Sequence, residues 1–311
     1  MAAAHAELIA DGGAAARSED LFRSRPFLDA EGTTHTLRIG SEGRAALVPL
    51  IVRELEGSEL ADAISPYGYP GAVVEGDGAA PEPAEVDWSQ TGLVSIFARE
   101  RLGGEPWLAG GAERSRSVRP RLGEQIRANE RDGWEVEAVS GPGSAVEDRD
   151  AFAVAYEQTM RRAAAAPRYF FAREYFDAVL EFERSWLLVA RHEGEVGAAA
   201  IAGVSDAILH YYLGGTADAA LQASPFKNVV AAMLDLADEL GMPLNLGGGV
   251  EAGDGLEAFK RGFANSELPF VTHEVIADRD EYDRLTRAVG GESGGFFPAY
   301  RATSGSAAAG G

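Results

Sequence analysis

The sequence predicts an α/β chain of two units in tandem, each a mixed, largely antiparallel sheet flanked by helices. Three observations carry this. The chain has 311 residues, about twice the usual size of one domain. Short aliphatic stretches of strand character alternate with stretches of helical period in both halves. Near the middle, Gly141-Pro142-Gly143-Ser144 breaks the pattern with the composition of a linker. The units are therefore set at residues 21–141 and 142–302, with a flexible N-terminus over 1–20 and a disordered, low-complexity tail over 303–311.

In the first half, residues 34–39 and 45–55 read as strands. The aromatic, turn-rich Ser65-Pro66-Tyr67-Gly68-Tyr69-Pro70-Gly71 follows, then a surface loop over 76–85. Residues 87–101 read as a helix, because Val94, Phe97 and Leu102 fall on one helical face behind a cap at Asp87 or Ser89. Residues 122–132 form a basic helix and 134–139 a strand.

In the second half, residues 149–162 and 172–184 are helical, and 186–191 with 196–204 make a hairpin about His192-Glu193-Gly194-Glu195. Residues 208–213 form a strand. Ser224-Pro225 opens a helix that runs through Leu240 and is closed by Gly241. There follow a short strand over 244–246, Gly247-Gly248-Gly249, a short helix to Gly262, a strand over 269–276 and a helix over 280–289.

Composition narrows the function. With 46% hydrophobic residues the chain is not globally disordered. It has no long apolar run to span a bilayer and no signal peptide at its start, which points to a soluble, cytoplasmic protein. Zero cysteines exclude disulfides and thiolate chemistry. The five histidines are isolated and no HExxH, Walker or Gly-x-Ser-x-Gly pattern occurs, so neither a metal site nor a resident cofactor is expected. The formal charge of −21, from 28 basic and 49 acidic residues, opposes extended nucleic-acid binding.

Lys227 and Lys260 are the chain's two lysines, against a strong bias toward arginine. A lysine kept in such a background is a candidate for a role that arginine cannot fill. Lys227 lies in the first turn after Ser224-Pro225, where a helix end can hold a phosphate or carboxylate; an ordinary capped helix is the alternative. Lys260 lies beside the apolar face of Leu256, Phe259 and Phe263, placed either to stabilise an oxyanion or to be solvated. Strand alternation sends Tyr211 and Tyr212 to opposite faces. Six arginines between Arg114 and Arg131 form a local basic stretch, suited to a polyanion or to ion pairing.

The ordered series of Ser65 to Gly71, Gln125 to Arg131, Tyr156 to Arg162 with Tyr169-Phe170-Phe171, His210 to Thr216, Ser224-Pro225, Phe259-Lys260-Arg261-Gly262-Phe263 and Phe297-Pro298-Ala299-Tyr300-Arg301 resembles the Fem family. These are aminoacyl-tRNA-dependent amino acid transferases with two tandem GNAT-like (acetyltransferase-type) domains. The resemblance runs from about residue 35 to residue 301, in the short form without a coiled-coil arm.

It implies peptide-bond formation, with alanine or another small amino acid moving from charged tRNA to an amine. The amine would belong to a peptidyl nucleoside antibiotic intermediate or a peptidoglycan precursor. It implies that Lys260 is catalytic, stabilising the oxyanion, with Phe259 beside it. Tyr67, Tyr69 and Tyr212 would meet the acceptor; Lys227, Arg127, Arg131 and Arg261 would meet the tRNA end. No obligate protein partner is implied. The first half has no lysine to match one that some members use for a nucleotide diphosphate, with Arg38 or Arg44 as substitutes. A CoA-dependent N-acyltransferase and a noncatalytic binding protein of the same fold are the alternatives. The segment Leu221 to Phe226 lacks the glycines of a CoA pyrophosphate loop.

Overall fold

The computed structural model describes residues 4–116, 123–248, 260, 263, 266, 268–290 and 296–302. Two mixed sheets organise them. The first is built from β1 (Ala4–Ile9), β2 (His35–Ser41), β3 (Arg44–Glu54), β4 (Ala61–Ile64), β5 (Val73–Gly76), β6 (Val86–Asp87), β7 (Leu93–Arg99) and β8 (Ala112–Arg116). The second holds β9 (Glu135–Ser140), β10 (Ser185–His192), β11 (Glu195–Ser205), β12 (Ile208–Thr216) and β13 (Leu244–Asn245). A last strand, β14 (Leu268–Ile276), returns to the first sheet between β7 and β8, giving the order β6-β1-β2-β3-β4-β7-β14-β8 with β5 on β3.

The second sheet runs β13-β12-β11-β10-β9 and is antiparallel except where β12 meets β13. Its central strand β11 is buried on both faces from Gly197 to Ser205, because each face is covered. On one side lie α3 (Val146–Arg162) and α4 (Arg173–Leu180), with Phe152, Tyr156, Phe176 and Leu180 in the core. On the other lies α5 (Phe226–Leu240), with Val229, Val230 and Met233 against Ala198, Ala200 and Ala202. The approach is close: a Cβ on Gly215 would lie 2.4 Å from the Ala155 carbonyl of α3. Gly241 closes α5 at φ 65°, the left-handed cap that glycine adopts at least cost.

Three stretches cross the boundary expected at residues 141 and 142. The first contains α1 (Arg25–Ala30) and the preceding turn; its Leu21, Phe22, Phe27 and Leu28 enter the core of the second sheet. The second is α2 (Gly123–Arg131), which docks on α5 where Asn129 Nδ2 donates to Asn228 Oδ1 at 2.7 Å. The third is β14 together with α6 (Arg279–Ala288), which cover β7. Gly141 is a packed position and no free hinge: a Cβ there would lie 2.0 Å from Ser185 Oγ.

Two sequence expectations are corrected. Residues 1–20 are not frayed over their described part, since β1 pairs with β2 and β6 and buries Ala4 and Ala6. Alanine is too small for its alternation to stand out in sequence. The helix expected over 87–101 is the strand β7, buried on both faces between β4 and β14. A doubly buried strand has no polar side, and its apolar spacing is open to a helical reading. The tail over 303–311 and most of the helix expected to end at Gly262 lie outside the described residues. Among the described residues no helix is long and apolar enough to cross a membrane.

The halves are joined at the β11–β12 turn. Asp206 and Ala207 sit at φ 52° and 57°, both central positions in the left-handed region as a tight hairpin turn requires. Asp206 accepts from buried Arg23 (2.6 Å) and from Arg101 of the first half (3.2 Å). Asp206 is thus held by ion pairs, whereas Ala207 carries its strain with no such return. Ala207→Gly is expected to raise stability by about 0.5–1 kcal/mol, measurable by urea unfolding; a loss of stability would contradict this account of the turn.

Candidate functional site

Where β12 leaves β13, side chains of the two halves meet, Tyr67 and Tyr69 of the first against Tyr212 and His210 of the second, and this junction is the candidate cleft. Pairing of the two strands stops at His210 and Asn245, so the residues that follow are free to splay. Tyr211 points to the α5 side, against Phe226, and Lys260 Nζ lies 5.0 Å from its ring centroid. The same ammonium donates to the Gly248 carbonyl at 3.0 Å. A Cβ on Gly247 (φ 71°) would lie 3.3 Å from Lys260 Nζ and 3.6 Å from Tyr69 Oη, so both side chains converge on this bare backbone. A cation on an aromatic face beside glycine backbone is able to meet developing negative charge.

The first half supplies the opposite wall. Gly68, at φ 93°, lies directly under the Phe22 ring, where a Cβ would meet ring carbon at 2.4 Å. That turn sends Tyr67 and Tyr69 into the cleft at different points. Tyr67 approaches Tyr212 and Tyr169 (centroids 6.1 and 6.0 Å). Tyr69 packs on His210 and Phe270 (5.2 and 4.9 Å). Tyr156 donates to the Tyr169 carbonyl at 2.9 Å, fixing the loop after α3.

The floor is a hydrogen-bonded chain. Tyr175 donates its one hydroxyl proton to Glu31, so in its contact with Tyr212 the proton comes from Tyr212. The other Glu31 oxygen accepts from the Tyr67 N–H at 2.8 Å. Burial pushes the Tyr156, Tyr175, Tyr211 and Tyr212 hydroxyls well above the ordinary phenol range, and all remain protonated donors.

His210 lies below, accepting at Nδ1 from Asn245 (3.0 Å) and donating from Nε2 to the Ser205 carbonyl (3.2 Å). Burial pushes its pKa down to about 4. An unfolded histidine titrates near 6.5, so the unfolded chain takes up this proton first as pH falls. Stability is full above that value and declines until folded His210 also protonates. A loss of about 2–4 kcal/mol is expected on going from about pH 7 to about pH 4, measured by unfolding. His210→Gln should flatten that part of the profile, and an unchanged slope would refute the assignment.

The structure brings together Lys260, Tyr67, Tyr69 and Tyr212 of the residues singled out in sequence. Tyr212 is nearly buried and forms floor, with its proton committed to Tyr175. Phe259 and Arg261 lie outside the described residues. Arg127 and Arg131 are exposed on α2, which abuts the first turn of α5 that carries Lys227. Arg44 does not stand in for the missing early lysine: it is buried, donating to the Gly78 and Pro106 carbonyls at 2.7 and 2.8 Å. Arg38 pairs with Glu7 on β1. Missed in sequence were Glu31, Tyr175 and Arg99. Among the described residues no group of three or more His, Cys, Asp or Glu side chains could hold a metal ion.

A family profile described as an acetyltransferase (GNAT) domain matches residues 116–261. No curated protein matches the sequence. Among solved structures, FemX is similar at 13% identity, over 85% of this chain and 94% of that one, with a TM-score of 0.58. The C-terminal domain of a putative lysylphosphatidylglycerol synthetase from Agrobacterium fabrum is similar at 14% identity, over 90% of this chain and 94% of that one, with a TM-score of 0.51. The chain therefore has a FemX-like fold of two tandem GNAT-type units.

Proposed function

We propose that the chain is an aminoacyltransferase, moving an amino acid from charged tRNA onto the amine of a small or peptidyl acceptor. The observation that carries this is Lys260, held over the Tyr211 ring beside Gly247 and Gly248, which put no side chain in its way. An aminoacyl ester is already activated and an amine is a good nucleophile. What the protein must supply is alignment and a donor for the tetrahedral oxyanion. Lys260 is the donor, and Tyr67 and Tyr69 line the acceptor side. The name of the Agrobacterium neighbour, joining lysine to a lipid, supports aminoacyl transfer on this fold.

The GNAT profile match favours a second reading, acyl transfer from CoA. The start of α5 speaks against it. Ser224 sits at φ 52° and Pro225 has no N–H. Past Phe226 the amides are consumed, Lys227 N–H by the Ser224 carbonyl (3.2 Å) and Asn228 N–H by the Pro225 carbonyl (2.9 Å). A pyrophosphate needs those donors open. Calorimetric titration with CoA is expected to show no micromolar binding, while labelled alanine on tRNA is consumed when an amine acceptor is present. The reverse pattern would exchange the two readings.

The charge of −21 limits how much tRNA is held. The transfer KM for charged tRNA should rise with salt on a shallow slope, on the order of one to three phosphate contacts. A slope equivalent to six or more contacts, roughly that of an extended nucleic-acid interface, would contradict this.

A further inference from the structure

At the rim of the cleft, Arg99 at the end of β7 has an anchored side and an open side. Its Nη1 donates to the Ser65 carbonyl at 3.0 Å, with Ser65 Oγ and the Pro66 carbonyl at 3.4 Å. Its ring neighbours are Phe97 and Tyr67, at 5.0 and 5.8 Å. No hydrogen bond among the described residues uses Nε or Nη2, and neither atom is sealed from solvent. Arg23, Arg53, Arg101, Arg149 and Arg191 are likewise buried or half-buried, and each pairs with a carboxylate. Among the described residues Arg99 pairs with none.

Burial accordingly pushes its pKa down from the ordinary arginine value, and Tyr67, Glu31, Tyr169 and Arg168 face it. It stays charged regardless. The guanidinium is half-buried and held on one side by Ser65 and Pro66, so a ligand would pay little to order it.

We infer that Arg99 is a carboxylate-binding residue of this cleft: its Nε–Nη2 edge takes one carboxylate of the acceptor, with Arg168 and the phenols of Tyr67 and Tyr169 around it. Naming the ligand as the acceptor rests on the aminoacyl-transfer reading; the anion site itself does not. Geometry selects the anion: Glu31, the carboxylate that faces Arg99, already accepts from Tyr175 and Tyr67, and two coplanar N–H donors on the remaining edge match the two oxygens of a carboxylate. The acceptor class is then an amine that also carries a free carboxylate, such as an amino acid or a peptide with an open C-terminus.

The test uses the full chain with labelled arginine side chains, followed by NMR of the Nε–H resonances at constant ionic strength. Benzoate, benzamide and inorganic phosphate are the titrants. Benzoate should shift one arginine resonance saturably, benzamide should not, and phosphate should bind at least about tenfold more weakly. The shifted resonance should be absent from Arg99→Lys. Arg168→Gln, at an exposed position, should keep the resonance and weaken benzoate several-fold, which leaves the site testable if Arg99→Lys does not fold. No saturable shift with benzoate, or tighter binding of phosphate, overturns the site. In transfer, a dipeptide acceptor should have about a tenfold lower KM than its C-terminal amide, a gap that closes in Arg99→Lys. If benzoate binds as described and no tRNA donor is consumed, the function reading fails and the anion site stands.

Discussion

Lys260→Ala is expected to lower kcat for aminoacyl transfer about 10²–10³-fold, with KM for the acceptor changed little and the melting temperature close to that of the parent. The size follows from removing one donor to a developing oxyanion. The split follows from timing: charge on the carbonyl oxygen grows only toward the transition state, so its loss falls on kcat. The fold should tolerate the change, because Lys260 is half-buried and reaches a loop carbonyl and an aromatic face. Lys260→Arg keeps the charge and brings a longer, planar head to a place defined by Gly247 at 3.3 Å. It should recover less than a tenth of the loss, roughly the penalty for a misplaced donor. Single-turnover kinetics with a purified charged tRNA decides the matter; a normally folded Lys260→Ala protein with the parent rate would remove this lysine from the chemistry.

Asp62→Ala is expected to cost about 2–4 kcal/mol of stability, a large part of the margin by which a domain of this size is folded. Asp62 on β4 is fully buried, and it accepts from Arg53 (2.8 Å), from Arg301 through both oxygens (2.6 and 3.1 Å) and from Tyr300 (3.1 Å). Removing the carboxylate strands two guanidinium groups and a phenol at once. Both arginines keep about a third of their side chain in water, which holds the cost below that of a wholly buried triad. The loss is also directional: Tyr300 and Arg301 bring the C-terminal turn over β7, where Tyr300 meets Ser95 and Tyr282. Amide exchange over residues 296–302 should therefore accelerate more than exchange in the second sheet. Uniform acceleration would mean that Asp62 supports the whole molecule and does not latch one end.

Much of this was legible in sequence, for identifiable reasons. The hairpin of β10 and β11 announced itself through its turn, and α5 through its flanking Pro225 and Gly241, because local chemistry sets those boundaries. The opposite facing of Tyr211 and Tyr212 follows from strand alternation alone. Strand β7 was illegible because both its faces are buried, and with it went Arg99, whose place at a strand end beside the cleft has no local signature. Glu31 and Tyr175 meet across 144 residues of sequence, and no pattern within either half pairs them. The crossings of α1, α2 and β14 are likewise properties of the packed chain.

The late return of β14 also governs how the protein is made. Strand β7 has β4 on one side and β14 on the other, and β8 has β14 as its partner. On the ribosome, residues 93–116 emerge long before Leu268, so the first sheet waits with an open edge while the whole second half is synthesised. Meanwhile the apolar residues of Leu21 to Leu28 have no core until β10, β11 and β12 exist. Completion is set by contacts distant in sequence, which makes folding slow and exposes an unpaired strand edge along the way. The two walls of the site are each finished by the other end of the chain.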